Sequence, residues 1–287
     1  MQPIIENIGK QFGIFPAWVA VFLMIFLRYA IIASVAYFIL YKWKRTNWFS
    51  VKIQQKFPKS EEVQQEIIHS LTTAAIFASM SFGVYFLRKM GFGSLYFEIS
   101  EHGWAYYAFS IAFVIVLHDT YFYWTHRLMH HPKLFKIFHK VHHQSHNPTP
   151  YSSFSFHPLE AIVEFGVVPF IALFMPLHFT ALLFFTLWSM LFNVMGHSGY
   201  EFFPSGFTKH PIFKWLNTST HHNLHHSRSG ANYSLYFNFW DRVMGTNHPQ
   251  YDEIFENIKK RDLESTSLSA SRAITQGATV SKHLETA

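Results

Sequence analysis

Three long apolar blocks constrain the fold of this 287-residue chain more than any other feature of its sequence. They lie at about 17–41, 67–87 and 104–124, and Arg28 is the only charged residue in the first of them. A helix needs about 20 apolar residues to cross the hydrocarbon layer of a membrane, so each block is long enough to be a transmembrane helix. A cleaved signal peptide does not fit the first block, which lacks a basic leader and a small-residue cleavage site.

A fourth apolar region, at about 162–194, is interrupted by Pro169, Pro176 and His178. Its halves are short for two full spans, and the whole is too long for one span. We therefore predict a helical hairpin that enters the bilayer and returns to the same face, either as a re-entrant segment or as two short spans. The chain is then an all-α integral membrane protein with about four membrane segments.

Basic residues predict the orientation of these segments. Of the 23 lysine and arginine residues, 19 fall in three segments that the spans leave on one side, namely 42–66, 125–160 and 195–287. Basic residues accumulate on the cytoplasmic side of membrane proteins, so we expect this side to be cytoplasmic, in a bacterial inner membrane or the endoplasmic reticulum. The net charge of +6 then suits anionic lipid headgroups, and no nucleic-acid partner is expected.

The chain has no cysteine but contains 20 histidines. Disulfides, thiolate zinc sites, cysteine-bound iron–sulfur clusters and cysteine nucleophiles are therefore excluded. Sixteen of the histidines lie between His118 and His226, in a part of the chain that the orientation argument puts in or next to the cytoplasmic segments. This density indicates a site that uses imidazole.

Three short motifs space their histidines as one face of a helix would. The histidines are His126 and His130 in the first motif, His139, His142 and His143 in the second, and His222, His225 and His226 in the third. Residues three and four apart are neighbours on a helix surface, so each motif presents imidazoles to one side. Neutral imidazole binds iron, zinc, copper and nickel. So many ligands exceed the three or four of one zinc site, and they indicate two metals that share a cage.

Other polar residues near the motifs are weaker candidates. His118, eight residues before His126, could join the same broad face, and His197 could enter the cage from the end of the hairpin. His157 could donate to a ligand or orient the chain. Carboxylates commonly orient metal-bound imidazoles, and the candidates here are Asp119, Glu160 and Asp241.

Arg28 lies near the middle of a predicted span, where charged residues are costly and often functional. We expect it to pair inside the helical bundle or to reach polar headgroups, because the same block contains no carboxylate. At the other end of the chain, 262–287 is rich in Ser, Thr and Ala without apolar periodicity, and we predict disorder there.

The motifs resemble those of the fatty acid hydroxylase/sterol desaturase superfamily of membrane non-haem di-iron enzymes. The resemblance rests on HDTYFYWTHRLMH at 118–130, HKVHH at 139–143 and HNLHH at 222–226, with support from FHPLE at 156–160 and FWDRVMGT at 239–246. It covers about 104–250, whereas the first 100 residues match only as generic membrane spans. We expect 1–261 to form a single hydroxylase or desaturase domain.

The resemblance implies membrane helices with a cytosolic helical cap, and two iron ions held between the motifs. The implied metal ligands are His118, His126, His130, His139, His142, His143, His197, His222, His225 and His226. The histidines expected to carry catalysis are His126, His130, His142, His143, His225 and His226. The implied reaction uses O2 and two external electrons to hydroxylate or desaturate a lipid that enters from the bilayer, such as a sterol, a carotenoid or an acyl chain. The electrons would come from a cytochrome b5 or ferredoxin-type partner.

Two other functions fit the histidines less well. A metal transporter should place polar ligands near the bilayer midplane, whereas the motifs lie at and beyond one end of the predicted spans. An electron carrier with haem between two imidazoles needs few histidines on facing helices, and leaves most of the sixteen unexplained.

Overall fold

The computed structural model describes residues 2–93, 95–228 and 230–285, with side chains described for 5–93, 95–228 and 230–268. In this part of the chain the helices are α1 (Gln2–Phe12), α2 (Ile14–Tyr37), α3 (Ser60–Lys89), α4 (Gly103–Met129), α5 (Pro132–Phe138), α6 (Pro158–Phe165), α7 (Val167–Phe174), α8 (Phe179–Gly196), α9 (Ser219–Ser227), α10 (Phe239–Val243) and α11 (Tyr251–Glu285). A π-helical segment, Phe38–Trp43, extends α2, and two short strands, β1 (Leu95–Tyr96) and β2 (Leu177–His178), pair in parallel. Short 3-10 turns lie at Phe49–Val51, Ile99–Glu101, His142–Gln144, Pro150–Phe154, Phe207–Lys209 and Phe213–Trp215.

Four of the described helices are long and apolar enough to cross a membrane. They are Ile14–Trp43, Ser60–Lys89, Gly103–Met129 and Phe179–Gly196. Large apolar side chains at helical spacing on α2, such as Leu27, Ile31 and Val35, remain exposed, as expected for a surface that faces lipid. The structure confirms the predicted all-α membrane fold with about four membrane segments.

The fourth apolar region folds as a hairpin whose first limb is α6 and α7 and whose second limb is α8. At its tip, Leu177 of β2 is in register with Leu95 of β1, and His178 Nε2 lies 2.8 Å from the carbonyl oxygen of Phe97. These partners precede the first turn of α4, and the histidine-rich segment follows the last turn. The hairpin therefore runs the whole length of α4, as two short crossings would, and does not turn back midway.

The first limb breaks between α6 and α7, where Pro169 cannot donate a backbone hydrogen bond to Phe165 and where α4 makes a close contact. Tyr121 of α4 donates a hydrogen bond of 2.7 Å from its hydroxyl to the carbonyl oxygen of Val163. A side chain at Gly166 would put a Cβ atom 2.6 Å from the same hydroxyl oxygen. Glycine at this position lets α4 approach the junction of α6 and α7, and this approach holds α6 beside the end of α4.

The polar cap is attached to the spans through α2 and α3. The hydroxyl of Tyr29 lies 2.9 Å from Ser70 Oγ and donates to the carbonyl oxygen of Tyr151 at 2.7 Å, while its ring stacks on Phe154 at 4.7 Å. The segment that follows the second histidine motif is thus fixed to the membrane helices, and the motif is fixed with it.

Helix α11 closes the cap and continues farther than the sequence predicts. Lys259 Nζ donates to the carbonyl oxygen of Glu201 at 2.7 Å, and Ser50 Oγ donates to Asp262 Oδ1 at 2.6 Å. The sequence predicts disorder over 262–287, but the helical backbone of α11 continues through Glu285. No proline follows Pro249, so no residue there lacks the backbone N–H that a helix needs. Residues 286–287 lie outside the described residues.

A glycine substitution tests the packing of the hairpin tip. Gly93 and Gly91 both have positive φ, at +84° and +89°, but a Cβ at Gly93 would overlap the backbone of Ala172, whereas a Cβ at Gly91 would meet nothing. We expect Gly93→Ala to cost about 1–3 kcal/mol more than Gly91→Ala, because the overlap forces a backbone shift. This cost corresponds to a thermal midpoint lower by roughly 3–10 °C in detergent, measured by scanning fluorimetry. Equal midpoints for the two variants would contradict the close approach.

Candidate metal centre

Nine histidine side chains meet at the end of the bundle where α4 finishes, and they form two adjacent clusters. In each cluster one nitrogen of every imidazole lies within 4.8 Å of the others. Cluster A consists of His126, His130, His139, His143 and His225, and cluster B of His142, His197, His222 and His226. Among the described residues, these clusters bring together nine of the ten predicted ligands. His118 is the predicted ligand that lies outside both.

Adjacent histidines in the sequence belong to different clusters. The rings of His142 and His143 are inclined at 89°, and those of His225 and His226 at 87°. Successive residues of a helix point about 100° apart, so a tight helical turn directs two neighbours to different sides. The His-His pair at the end of the second motif and the His-His pair in α9 therefore each contribute one imidazole to cluster A and one to cluster B.

Within each cluster the Nε2 atoms face one another at short distances. In cluster A, His126 and His139 have their Nε2 atoms 2.9 Å apart, and those of His143 and His225 are 3.0 Å apart. In cluster B, the Nε2 atom of His197 lies 3.0 Å from that of His222, 3.2 Å from that of His226 and 3.3 Å from that of His142. These atoms converge on one point in each cluster.

The hydrogen-bond partners of the other ring nitrogen, Nδ1, show which nitrogen of each imidazole carries the proton. Five imidazoles direct Nδ1 at an oxygen atom at 2.7–3.2 Å, and four of these oxygens belong to backbone carbonyls, which can only accept. The pairs are His126 with Tyr233 O, His139 with Glu160 Oε1, His142 with Ser155 O, His197 with Asn193 O, and His225 with Ala231 O. A neutral imidazole carries one proton, so Nδ1 donates and Nε2 keeps a bare lone pair. The bare Nε2 lone pairs of His142 and His197, 3.3 Å apart, have no proton to share, and this arrangement fits a bound cation.

Burial keeps these imidazoles neutral. It lowers the pKa of His143 to about 3 and that of His197 to about 4. The pKa values of His139, His142, His222, His225 and His226 also lie well below the usual range, first because of burial and then because of neighbouring imidazoles. Neutral histidine is the form that binds metals, so both clusters offer ligands at physiological pH.

The three carboxylates singled out in the sequence act in two ways. Glu160 contacts a cluster residue directly, through His139. Asp119 accepts hydrogen bonds from the backbone of Tyr236 and Phe237, and Asp241 accepts from the backbone of Tyr233 and Ser234. They hold the segment 233–237, which presents the carbonyl oxygen of Tyr233 to cluster A. Burial tends to raise the pKa of Asp241, but hydrogen bonds from His221, Thr246 and the backbone outweigh it and lower this pKa to about 2.

The histidines outside the clusters have other partners. His118 Nδ1 lies 2.7 Å from the hydroxyl of Tyr236, and His157 Nδ1 accepts from the backbone of Leu159 at the start of α6. His221, the neighbour of His222, points away from cluster B and lies 3.4 Å from Asp241 Oδ2. The carbonyl groups that orient the cluster imidazoles were not foreseen, because every residue has a carbonyl and no sequence signal marks the ones that are used.

A long apolar cavity runs from the clusters into the bundle. Along α8 its lining extends from Phe179 to Asn193, which corresponds to about 21 Å at the helical rise. At the metal end, Phe122 lies 4.9 Å from the ring of His126, and Phe156 lies 5.2 Å from the ring of His142. Arg28 lines the cavity too, but it pairs inside the bundle, donating to Thr186 Oγ1 at 2.9 Å. The cavity suits an elongated apolar ligand.

Comparisons with known proteins identify the family. Residues 111–246 match the family model of fatty acid hydroxylase. The chain is 30% identical over 261 residues to a Delta(7)-sterol 5(6)-desaturase of Aspergillus fumigatus, a match that covers 90% of this chain and 68% of the relative. It is 28% identical over 234 residues to a Delta(7)-sterol 5(6)-desaturase of Gibberella zeae, covering 80% of this chain and 69% of the relative. It is 28% identical over 231 residues to rat lathosterol oxidase, covering 78% of this chain and 72% of the relative. No solved structure matches.

The chain therefore belongs to the fatty acid hydroxylase/sterol desaturase superfamily, as its histidine motifs predict. The four candidate membrane helices and the named relatives make it a membrane-bound oxidoreductase.

Single substitutions should separate the two clusters. We expect His126→Ala to lose the metal of cluster A and His142→Ala to lose that of cluster B, because each removes a converging Nε2 atom. Metal analysis of detergent-purified protein should fall from about two metal ions per chain to about one in each variant. His146→Ala is the matched control, because His146 is an exposed histidine in the same segment. Two metals retained in His142→Ala would contradict the assignment.

Removing the carboxylate behind cluster A should weaken metal binding without removing a ligand. Glu160→Ala leaves the Nδ1 proton of His139 without its acceptor, and loss of such a partner lowers metal affinity by about 10- to 100-fold. Chelator competition followed by metal analysis measures the effect. Glu61→Ala, at the exposed start of α3, should behave like the unaltered protein. Equal affinities in both variants would show that Glu160 does not orient His139.

Proposed function

We propose that this chain is a membrane di-iron oxygenase that desaturates or hydroxylates a sterol or a related lipid with O2 and two external electrons. The observation that carries the proposal is the junction of two all-imidazole clusters with the end of a long apolar cavity. The relatives favour a sterol as the substrate and desaturation as the outcome, because their names specify desaturation at the 5(6) position and oxidation of lathosterol.

The donor set is compatible with iron. Imidazole binds iron, zinc, copper and nickel alike, so the ligands alone do not choose among them. Zinc has no redox chemistry, whereas oxidation of an unactivated C–H bond needs a metal that exchanges electrons. Iron in the two clusters would supply the activation of O2, and the ligands would be the nine histidines of clusters A and B.

The residues of the chain would then supply position and exclusion of water. The acceptors on Nδ1 aim each Nε2 atom at its cluster, and burial keeps the imidazoles unprotonated. Phe122 and Phe156 line the metal end of the cavity, where an apolar lipid presents C–H bonds next to the clusters. Desaturation converts one CH–CH unit, O2, two protons and two electrons into a C=C bond and two waters. Hydroxylation inserts one oxygen atom and releases one water.

The electrons require an external donor, and we propose a cytochrome b5 or ferredoxin-type partner at the polar cap. The basic segments 42–66 and 125–160 adjoin the same end of the bundle as the clusters. By the distribution of basic residues, this end is cytoplasmic. A lipid substrate would enter from the bilayer between the helices that line the cavity.

Turnover of lathosterol tests the proposal. The protein, reconstituted in lipid nanodiscs with ferrous iron and a reducing donor, should yield a sterol lighter by two hydrogens, detected by mass spectrometry. His142→Ala should abolish the product, and His146→Ala should retain it. A product heavier by one oxygen would select hydroxylation instead. Absence of any oxidised sterol or acyl lipid from iron-loaded protein would overturn the proposed function.

A further inference from the structure

One polar side chain in the apolar cavity has no partner among the described residues. The polar residues that line the cavity are Arg28, Ser81, His118, Glu164, Thr186, Ser189 and Asn193. Six of these seven have hydrogen-bond partners. Arg28 donates to Thr186, Ser81 donates to the carbonyl oxygen of Phe77, and Asn193 donates to the carbonyl oxygen of Ser153. His118 and Ser189 both bond the hydroxyl of Tyr236. Within the described part of the chain, Glu164 has no hydrogen-bond or ion-pair partner.

Glu164 lies on the side of the cavity nearest the clusters. It follows Glu160 by four residues on α6, so both carboxyl groups share one face of the helix. Glu160 bonds His139 of cluster A at 2.7 Å. The step from Glu160 to Glu164 is therefore about 6 Å along the helix axis, away from the metal ligands and into the cavity. Arg28 is bonded to Thr186, about 10 Å along α8 from Asn193 at the metal end.

We propose that Glu164 binds the hydroxyl group of the lipid substrate and thereby sets which carbon atoms face the clusters. A partly buried carboxyl group without a partner is costly, and a hydroxyl that donates to it would offset the cost. The assignment deepens the proposed function, on which it rests. Glu164 is a positioning residue in this role.

The chemistry of the group favours a hydroxylated neutral lipid over a fatty acid. An alcohol hydroxyl can both donate to a carboxyl group and accept from it, whereas a carboxylate ligand can only accept. The distance also suits a sterol. The carbons of the 5(6) bond lie two and three bonds from the carbon that carries the sterol hydroxyl, a few ångströms from it. A hydroxyl held at Glu164, about one helical turn from Glu160, would direct these carbons towards the metal end of the cavity.

Paired substrates and paired variants test the assignment. Lathosterol and its 3-deoxy analogue are compared with the unaltered protein, with Glu164→Leu and with Glu164→Gln, which keeps hydrogen-bonding atoms. We expect Glu164→Leu to lower kcat/KM for lathosterol by about 10- to 100-fold, and Glu164→Gln to recover most of this loss. The deoxy analogue should react with all three proteins at rates within about threefold, because it offers no hydroxyl to bind. Glu61→Leu, on the exposed surface, controls for loss of a carboxylate elsewhere.

A binding measurement separates the two proposals. Displacement of radiolabelled lathosterol from the purified proteins should show weaker binding in Glu164→Leu. If lathosterol is oxidised but Glu164→Leu lowers kcat/KM for lathosterol no more than it lowers kcat/KM for the deoxy analogue, the assignment of Glu164 is overturned and the proposed function stands. If lathosterol binds in a Glu164-dependent manner without being oxidised by iron-loaded protein, the assignment stands and the sterol oxidase function fails. Failure of the unaltered protein to bind or oxidise lathosterol counts against both.

Discussion

The hydrogen bonds that hold a proton on Nδ1 are the interactions on which the rest of the site depends. In five of the nine cluster histidines an oxygen acceptor fixes this proton, and the lone pair of Nε2 is thereby directed inward. Four of the five acceptors are backbone carbonyl oxygens, which come from the end of α8, from the segment before α6 and from the loop after α9. The cap and the hairpin must therefore be in place before either cluster can exist.

Two buried aspartates extend this dependence beyond the cluster residues. Asp119 and Asp241 touch neither cluster, yet both bind the backbone of the segment 233–237 that supplies the acceptor for His126. Tyr236 in the same segment bonds His118 at the cavity wall. One loop thus connects the orientation of a cluster histidine with the lining of the cavity, so the same hydrogen bonds set the positions of the clusters and of the cavity wall.

The sequence was informative where the determining interactions are local. Helical spans follow from the length of apolar blocks, and the histidine motifs follow from spacings of one turn, so both could be predicted. His118 and His197 could not be ranked from sequence, because each depends on a tertiary neighbour: the hydroxyl of Tyr236 holds His118 away, whereas the end of α8 brings His197 into cluster B. The depth of the hairpin depends on the pairing of β1 with β2, and strands of two residues leave no recognisable pattern in the sequence.

The division of each His-His pair between the clusters couples the positions of the two clusters through covalent geometry. Consecutive Cα atoms are about 3.8 Å apart whatever the side chains do, so the spacing of the two centres is bounded by two peptide units. The two clusters cannot move apart without moving a backbone segment that serves both. The apolar cavity, which is lined largely by α8 and its neighbours, can therefore vary while the separation of the two clusters stays constant.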